Sequence, residues 1–345
     1  MKVLIVGFGV VGRSVAELIA DHPPSSLGLS DVKVVGVSDA SGSIIDERGV
    51  DLRKAVKEKA RKGSLMRSSL ENKRPLTGEE LIDQVHADIL VETTPTNIST
   101  GEPGLTHIQK ALRSGLHVVT TNKGPLITSF KELKKMAERK QICLRYSGAV
   151  GGGTPILDFL DFLRPEGVQS ARGILNGTTN YILWRMEKGG VTLNTAMKEA
   201  KTLGYAEKDP SLDLKGLDTA CKLVIMANHL GMEKRLCEVD IKGIEGLKAA
   251  DLFEAQRRGR VIRLIGTLDC ENGELKVSTE EIPVGSALHV EGCLNALTVK
   301  TKLGAQTLIG TGTGGRVTAA SVIRDLFYIA HRNWGKTAVT QVAAK

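Results

Sequence analysis

The chain has little of what several classes of protein need. Aromatic residues make up only 3% of its 345 positions, and the formal net charge of +8 is dispersed, which together discount a surface that stacks on nucleic-acid bases. The five cysteines, Cys143, Cys221, Cys237, Cys270 and Cys293, are odd in number, widely scattered and never in Cys-x-x-Cys spacing. That pattern suggests neither a disulfide framework nor a zinc cluster, and it fits a reducing compartment. None of the seven histidines pairs with another at metal-ligand spacing. No apolar run approaches the roughly 18 residues of a membrane span, and the chain does not open on a basic segment followed by a cleavable apolar stretch. The expectation is a cytoplasmic protein that binds neither membrane nor nucleic acid.

What is present is enough apolar material for two cores, at 41% hydrophobic residues over a length that exceeds the usual single domain. Charged residues form no long single-sign run; the one locally basic stretch, Lys54 to Arg67, reads as a surface helix and loop.

The N-terminal part alternates strands with helices. Lys2 to Val6 is a short apolar run that ends in Gly7-Phe8-Gly9-Val10-Val11-Gly12, and helical spacing follows from Val11 to His22. In that setting Gly7 permits a tight turn, Gly9 lets the backbone approach a pyrophosphate, and Gly12 allows close helix packing. The helix N-terminus attracts the negative charge. The next strand, Val32 to Val37, ends at Ser38-Asp39, where an acid can accept hydrogen bonds from a ribose. The rhythm continues through helical patterns at Val50 to Lys62, Glu79 to Val85, Thr106 to Ser114 and Ser129 to Arg139, with strands at Asp88 to Glu92, His117 to Thr120 and Gln141 to Tyr146. Such alternation predicts a parallel, doubly wound sheet whose ligand lies beyond the strand ends. Asp39, Thr93-Thr94-Pro95-Thr96-Asn97 and Thr121-Asn122-Lys123 are those ends, although ordinary loop chemistry also explains the Thr and Asn clusters.

Composition changes abruptly at Tyr146-Ser147-Gly148-Ala149-Val150-Gly151-Gly152-Gly153-Thr154-Pro155, which reads as an interdomain hinge. Beyond it, Asn176-Gly177-Thr178-Thr179-Asn180 opens a helix from Tyr181, and strands with β-branched alternation are expected at Val261 to Leu268, Glu274 to Glu280 and Leu297 to Lys302. Phe159 and Trp184 read as core. The richest chemistry lies between Gly204 and Lys222, where Glu207, Asp213, Asp218 and Lys222 crowd a Gly- and Pro-punctuated connection into a helix expected from Leu214 to Leu230. Asp218 and Lys222 are four apart and share a helix face. A solvated salt bridge is the plain reading of such a pair. Three carboxylates and one amine converging on a helix N-terminus is the chemical one. Gly310 to Thr318 reads as a glycine loop ahead of the helix Ala319 to His331, with backbone N–H groups for an anion or amide, and the tail after Trp334 shows no pattern.

Taken together, Gly7 to Gly12, Thr120-Thr121-Asn122-Lys123-Gly124-Pro125, Asn176 to Ile182, Gly204 to Lys222 and Gly310 to Thr318 resemble the homoserine dehydrogenase family over nearly the whole chain. The resemblance implies an α/β protein: a doubly wound (Rossmann) nucleotide-binding domain over residues 1–147 and an α+β catalytic and dimerisation domain over 148–305. Residues 306–345 would return to the nucleotide-binding domain. It implies reversible oxidation of L-homoserine to L-aspartate 4-semialdehyde with NADP or NAD, in the route to threonine and methionine, by a homodimer. No kinase or regulatory domain is expected beside it.

Residue by residue, Lys222, Lys123 and Asp218 would be catalytic, and Glu207, Asp213, Gly204, Tyr205, Gly177 and Thr178 would hold the substrate. Gly7, Phe8, Gly9, Val10, Val11, Gly12, Asp39, Thr93, Thr94, Pro95, Lys123 and Gly314 would hold the cofactor. A lysine serves as proton acceptor if burial and a neighbouring cation such as Lys123 push it toward neutrality, with Asp218 orienting it. A sodium ion would sit on the carbonyls of Val150, Gly152 and Thr154, but the family's glutamate is replaced by Ser147. The residue after Asp39 is Ala40, not an arginine for a 2′-phosphate; Lys57 or Lys59 would supply that charge. Two other readings are another NAD(P)-dependent amino-acid or semialdehyde dehydrogenase and a non-catalytic nucleotide sensor.

Overall fold

The computed structural model describes residues 1–22, 24–29, 32–207 and 209–331. The chain divides into two units: Met1–Gly148 with the residues from Ala319 onward, and Ala149–Thr318. The boundary at Gly148 falls within the glycine-rich stretch. The segment after Trp334 lies outside the described residues.

The first unit runs β1 (Lys2–Val6), α1 (Val10–Asp21), β2 (Lys33–Asp39), β3 (Gly42–Ile45), α2 (Leu52–Lys62), β4 (Lys73–Arg74) and α3 (Gly78–Gln84). It continues with β5 (Ile89–Glu92), α4 (Gly104–Arg113), β6 (His117–Thr120), α5 (Lys123–Thr128), α6 (Phe130–Lys140) and β7 (Leu144–Arg145). The sheet order is β4-β3-β2-β1-β5-β6-β7, with parallel pairing from β2 to β7. Strands buried on both faces need continuous apolar runs. Val3, Leu4, Ile5, Ile89, Leu90 and Val91 are accordingly all fully enclosed. The strand order reverses around β1, so the carboxyl ends of β1 and β5 flank the ligand crevice that open α/β sheets form.

The sheet is not wholly parallel. β3 and β4 add an antiparallel edge that alternation with helices did not signal, because both strands are short, β3 following β2 through a turn at Ala40–Ser41 and β4 coming after α2. The strand expected from Gln141 to Tyr146 is limited to Leu144–Arg145.

The second unit contains α7 (Ile156–Leu163), β8 (Val168–Ile174), α8 (Gly177–Gly189), α9 (Leu193–Thr202), α10 (Ser211–Leu214) and α11 (Leu217–His229). After these come β9 (Asp240–Ile241), α12 (Ala249–Arg257), β10 (Arg260–Asp269), β11 (Glu274–Pro283), β12 (Leu294–Thr301) and β13 (Ala305–Thr311). Its sheet, β13-β12-β8-β10-β11-β9, is antiparallel except for the β11–β9 pair. α13 (Gly315–His331) follows, and Ala319, Val322, Leu326 and Ile329 on it enter the core of the first unit.

Three local expectations change. The helix bearing Lys222 begins at Leu217, not Leu214, because Gly216 takes φ 81° and breaks it from α10. A Cβ at Gly216 would lie 3.1 Å from Val277, so the chain both turns left-handed and packs closely there. Gly310 and Thr311 belong to β13, not to a loop, since they pair with Asn295 and Leu294 on β12. Phe159 and Trp184 are partly buried and not fully enclosed.

Candidate active site

In the first unit the glycine turn has the geometry a dinucleotide needs. Gly7 adopts φ 102°, and a Cβ there would meet the Thr93 backbone at 2.5 Å. At Gly12 a Cβ would lie 2.3 Å from the Gly7 carbonyl oxygen, so only glycine lets α1 start this close to β1. Gly9 has no atom within 4 Å of its Cβ position, which leaves the space above the turn open. Val10, at the start of α1, is 64% exposed beside it, whereas Phe8 is buried in the core and supports the turn from below. The strand ends are knitted to this turn: Gly7 N and Phe8 N donate to the Ser38 carbonyl, Thr93 N donates to Val6, and the Thr93 hydroxyl donates to Gly7 O at 2.7 Å.

Asp39 ends β2 with both carboxylate oxygens engaged. One accepts from Ser41 N at 2.7 Å and the Ser41 hydroxyl; the other accepts from Lys59 Nζ at 2.5 Å and Leu65 N at 2.9 Å. Burial works to raise this carboxyl, but the Lys59 ammonium, the Ser41 hydroxyl and the two backbone N–H groups hold it below the usual carboxylate range. Lys57, by contrast, is exposed on the same helix. Lys123 opens α5, where the Asn122 side chain caps the helix by accepting from Gly124 N.

In the second unit the chemistry gathers around the β8–α8 turn. Asn176 is the N-cap of α8: its amide oxygen accepts from Thr179 N at 2.8 Å. The same amide's nitrogen donates to Asp213 Oδ1 at 2.7 Å and Asp218 Oδ2 at 2.8 Å, joining two carboxylates. Lys222, 8% exposed, donates to the Leu175 carbonyl at 2.6 Å and pairs with Asp218 Oδ2 at 2.6 Å. An ammonium has three donors, so these two partners leave one N–H over. Asp218 stands in the first turn of α11, where the helix dipole favours a negative charge.

Gly177 and Thr178 open α8 directly after the Asn176 cap. A Cβ at Gly177 would meet the Cys293 carbonyl oxygen at 2.6 Å, and the Thr178 hydroxyl donates to the Tyr205 carbonyl at 2.7 Å. The Tyr205 ring sits 5.0 Å from Tyr181, and Gly204 beside it turns left-handed at φ 75° with open space around it. Gly314 adopts φ 117° just ahead of α13.

The structure therefore brings Asp213, Asp218 and Lys222 together and adds Asn176 and Leu175, which the acidic stretch alone did not reveal. Glu207 does not join them. It is exposed on the connection and makes no hydrogen bond or ion pair among the described residues. Asn176 left one signal in the sequence, an Asn directly before a helical run, but a cap position does not disclose that the free amide N–H groups reach two acids.

An open glycine turn for a pyrophosphate and an enclosed amine set among acids are what a nicotinamide-dependent oxidoreductase acting on a CH–OH group requires. Comparison with known proteins narrows that class to one family. The model of the homoserine dehydrogenase NAD binding domain matches residues 7–147, and the homoserine dehydrogenase model matches 155–327. This chain belongs to the homoserine dehydrogenase family.

A homoserine dehydrogenase of Methanocaldococcus jannaschii is 41% identical over 333 residues, covering 95% of this chain and 98% of the relative. An NAD(+)-dependent homoserine dehydrogenase of Pseudomonas canavaninivorans is 35% identical, at 95% and 96% coverage. Among solved structures, a hyperthermophilic archaeal homoserine dehydrogenase mutant in complex with NADPH matches with a TM-score of 0.83 and 30% identity, over 96% of this chain and 98% of that one.

Proposed function

We propose that this chain interconverts L-homoserine and L-aspartate 4-semialdehyde with Lys222 as the proton-transfer residue. The observation that carries the assignment is the enclosed Lys222 amine, fixed by Asp218 and the Leu175 carbonyl at 2.6 Å each with one donor position left over. The nicotinamide, when bound, accepts or returns the hydride. In oxidation Lys222 takes the hydroxyl proton as the hydride leaves the substrate carbon; in reduction its ammonium form polarises the aldehyde oxygen and then protonates it. Asp218 and Asn176 keep the amine and the acids in place. Asp213, with Glu207 assigned through the family resemblance, recognises the substrate ammonium, and Gly177, Thr178, Gly204 and Tyr205 shape the pocket. Lys123 is assigned as the second lysine through the family resemblance alone.

The assay is direct. Purified protein should produce the ultraviolet absorbance of reduced nicotinamide when given L-homoserine and either NAD or NADP. Silence with both cofactors would sink the reading.

Gly7, Gly9, Gly12, Thr93, Thr94 and Pro95 serve the dinucleotide in this reading, Gly314 is assigned to it through the family resemblance alone, and cofactor preference turns on the end of β2. The two relatives named above are NAD(+)-dependent and NADPH-bound respectively. Lys59, already against Asp39, supplies the charge for a 2′-phosphate, whereas Lys57 is exposed on the same helix. Lys59→Ala is expected to lower kcat/KM with NADP by about tenfold more than with NAD, the scale of one lost charge-assisted hydrogen bond. Equal losses with the two cofactors would rule Lys59 out as the discriminating group.

The Val150, Gly152 and Thr154 carbonyls form the proposed sodium set. The Ser147 hydroxyl is committed to Asp325 at 2.7 Å, so no carboxylate joins them from position 147, and no catalytic step is assigned to the ion. The enzyme is proposed to be a cytoplasmic homodimer assembled through the second unit, where Leu303 and Ile309 expose apolar surface around β12 and β13. Sedimentation at the monomer mass would overturn the dimer. Among the described residues no helix is long and apolar enough to cross a membrane.

A rival semialdehyde dehydrogenase needs a reactive cysteine thiolate. Cys143 and Cys221 are buried, and burial pushes the Cys293 thiol up to about 11 against a smaller opposing effect of the Thr313 hydroxyl. None of the three suits a nucleophile.

A further inference from the structure

The first unit encloses an acid that the reaction does not use. Glu92, the last residue of β5, is 0% exposed. Its Oε1 accepts from Thr94 N at 2.9 Å and from the Thr94 hydroxyl, while Oε2 accepts from the Thr120 hydroxyl at 2.9 Å. Both hydroxyls are tied in turn to Asn122: its backbone N–H donates to Thr120 Oγ1 at 3.0 Å, and its amide nitrogen reaches Thr94 Oγ1, Thr94 O and Pro95 O at 3.3 Å each. The Asn122 amide oxygen caps the helix that Lys123 opens. A second side of the enclosure is built for contact as well. A Cβ on Gly104, the first residue of α4, would stand 2.6 Å from Asn122 Nδ2 and 3.2 Å from Glu92 Cδ.

We infer that Glu92 is a positioning residue for the cofactor, clamping the loop 93–95 at the end of β5 to the segment 120–123 at the end of β6. The inference rests on the reading that these two segments face the dinucleotide. Parallel strand ends have no ladder bonds beyond the last pair, so two adjacent loops keep a fixed spacing only if side chains bridge them. Glu92 takes a hydrogen bond from each segment, Thr94 on one side and Thr120 on the other, and Asn122 reinforces the same bridge through its amide nitrogen. Thr94 gives Glu92 a hydroxyl and a backbone N–H and Thr120 a hydroxyl, no cation bonds it among the described residues, and burial pushes its carboxyl up against the opposing hydrogen bonds of Thr94, Thr120 and Asn122. A neutral acid bridges as well as an ionised one, so it is the hydrogen bonding that matters here and not the charge.

The test compares Glu92→Gln, Glu92→Leu and Gly104→Ala in the full chain, measuring NADH and NADPH dissociation constants by fluorescence without homoserine. Circular dichroism and melting temperature report folding, and kcat and the homoserine KM are then taken. Glu92→Leu and Gly104→Ala are expected to weaken dinucleotide binding about tenfold while the homoserine KM stays within about twofold, and Glu92→Gln is expected to keep both within about twofold of wild type. Glu92→Gln as weak as Glu92→Leu would show that charge is what matters and overturn the inference. So would a folded Glu92→Leu with wild-type dinucleotide affinity, or a homoserine KM that rises in step with the dinucleotide constant. Should Glu92→Leu not fold, Gly104→Ala decides, and unchanged affinity there overturns the clamp. Wild-type protein that binds dinucleotide but does not oxidise homoserine would sink the catalytic reading and leave this one standing.

Discussion

Lys222→Ala is expected to lower homoserine-dependent turnover by about 10²–10⁴-fold, the usual reach of a positioned general acid–base group, while dinucleotide affinity stays near wild type. The affinity should survive because the glycine turn is held by contacts within the first unit: Gly7 and Phe8 donate to Ser38, and Thr93 donates to Val6 and Gly7. Removing the amine also leaves Asp218 without its cation in a partly buried place. It keeps the Asn176 amide at 2.8 Å and the N-terminus of α11, so the cost falls on activity more than on folding. Added small primary amines should restore part of the rate by supplying the missing proton acceptor. A folded Lys222→Ala enzyme within tenfold of wild-type kcat would remove Lys222 from the mechanism.

The second large effect is expected at a residue that carries no charge. Asn176→Asp keeps the helix cap, since aspartate caps as well as asparagine, but it replaces the amide nitrogen that donates to Asp213 and Asp218 at 2.7 and 2.8 Å with a third carboxylate oxygen. Three acids at that spacing cannot all stay ionised, so the carboxyl pKa of at least one rises. At neutral pH the acids separate or take up a proton, and kcat/KM for homoserine should fall by about 10²-fold, the scale of two lost hydrogen bonds to charged groups. The pH dependence carries a sign. Below the raised pKa a protonated carboxyl can again donate one hydrogen bond, so the variant's rate relative to wild type should improve as pH falls and worsen as it rises. A constant ratio across pH would mean that Asn176 acts only as a cap.

Much of this was legible before the fold was known, and the limits are physical. The glycine turn could be read because each glycine answers a local demand of strand, turn and helix, and the Cβ clashes at Gly7 and Gly12 show those demands in place. Apolar spacing places the helix start at Leu214, which continues the pattern; only the packing of Gly216 against Val277 and Ile241 reveals why the helix starts at Leu217 instead. Glu207 belongs by sequence to the acidic stretch, yet proximity along the chain did not bring its side chain to the cluster. The β3–β4 edge leaves no signal in the sequence because strands of four and two residues are too short to show a period.

By itself, then, the sequence determined the dinucleotide turn, the alternation that builds the first sheet and the four-residue spacing that sets Asp218 against Lys222. These rest on contacts within a turn or two of chain, where composition and period are enough. The tertiary structure decided that Asn176 joins Asp213 to Asp218, that the Leu175 carbonyl holds the Lys222 amine, and that Glu92 ties two strand ends together. Those bonds connect residues 37, 42, 47 and 28 positions apart, and no local period records which distant partner a buried donor or acceptor finds.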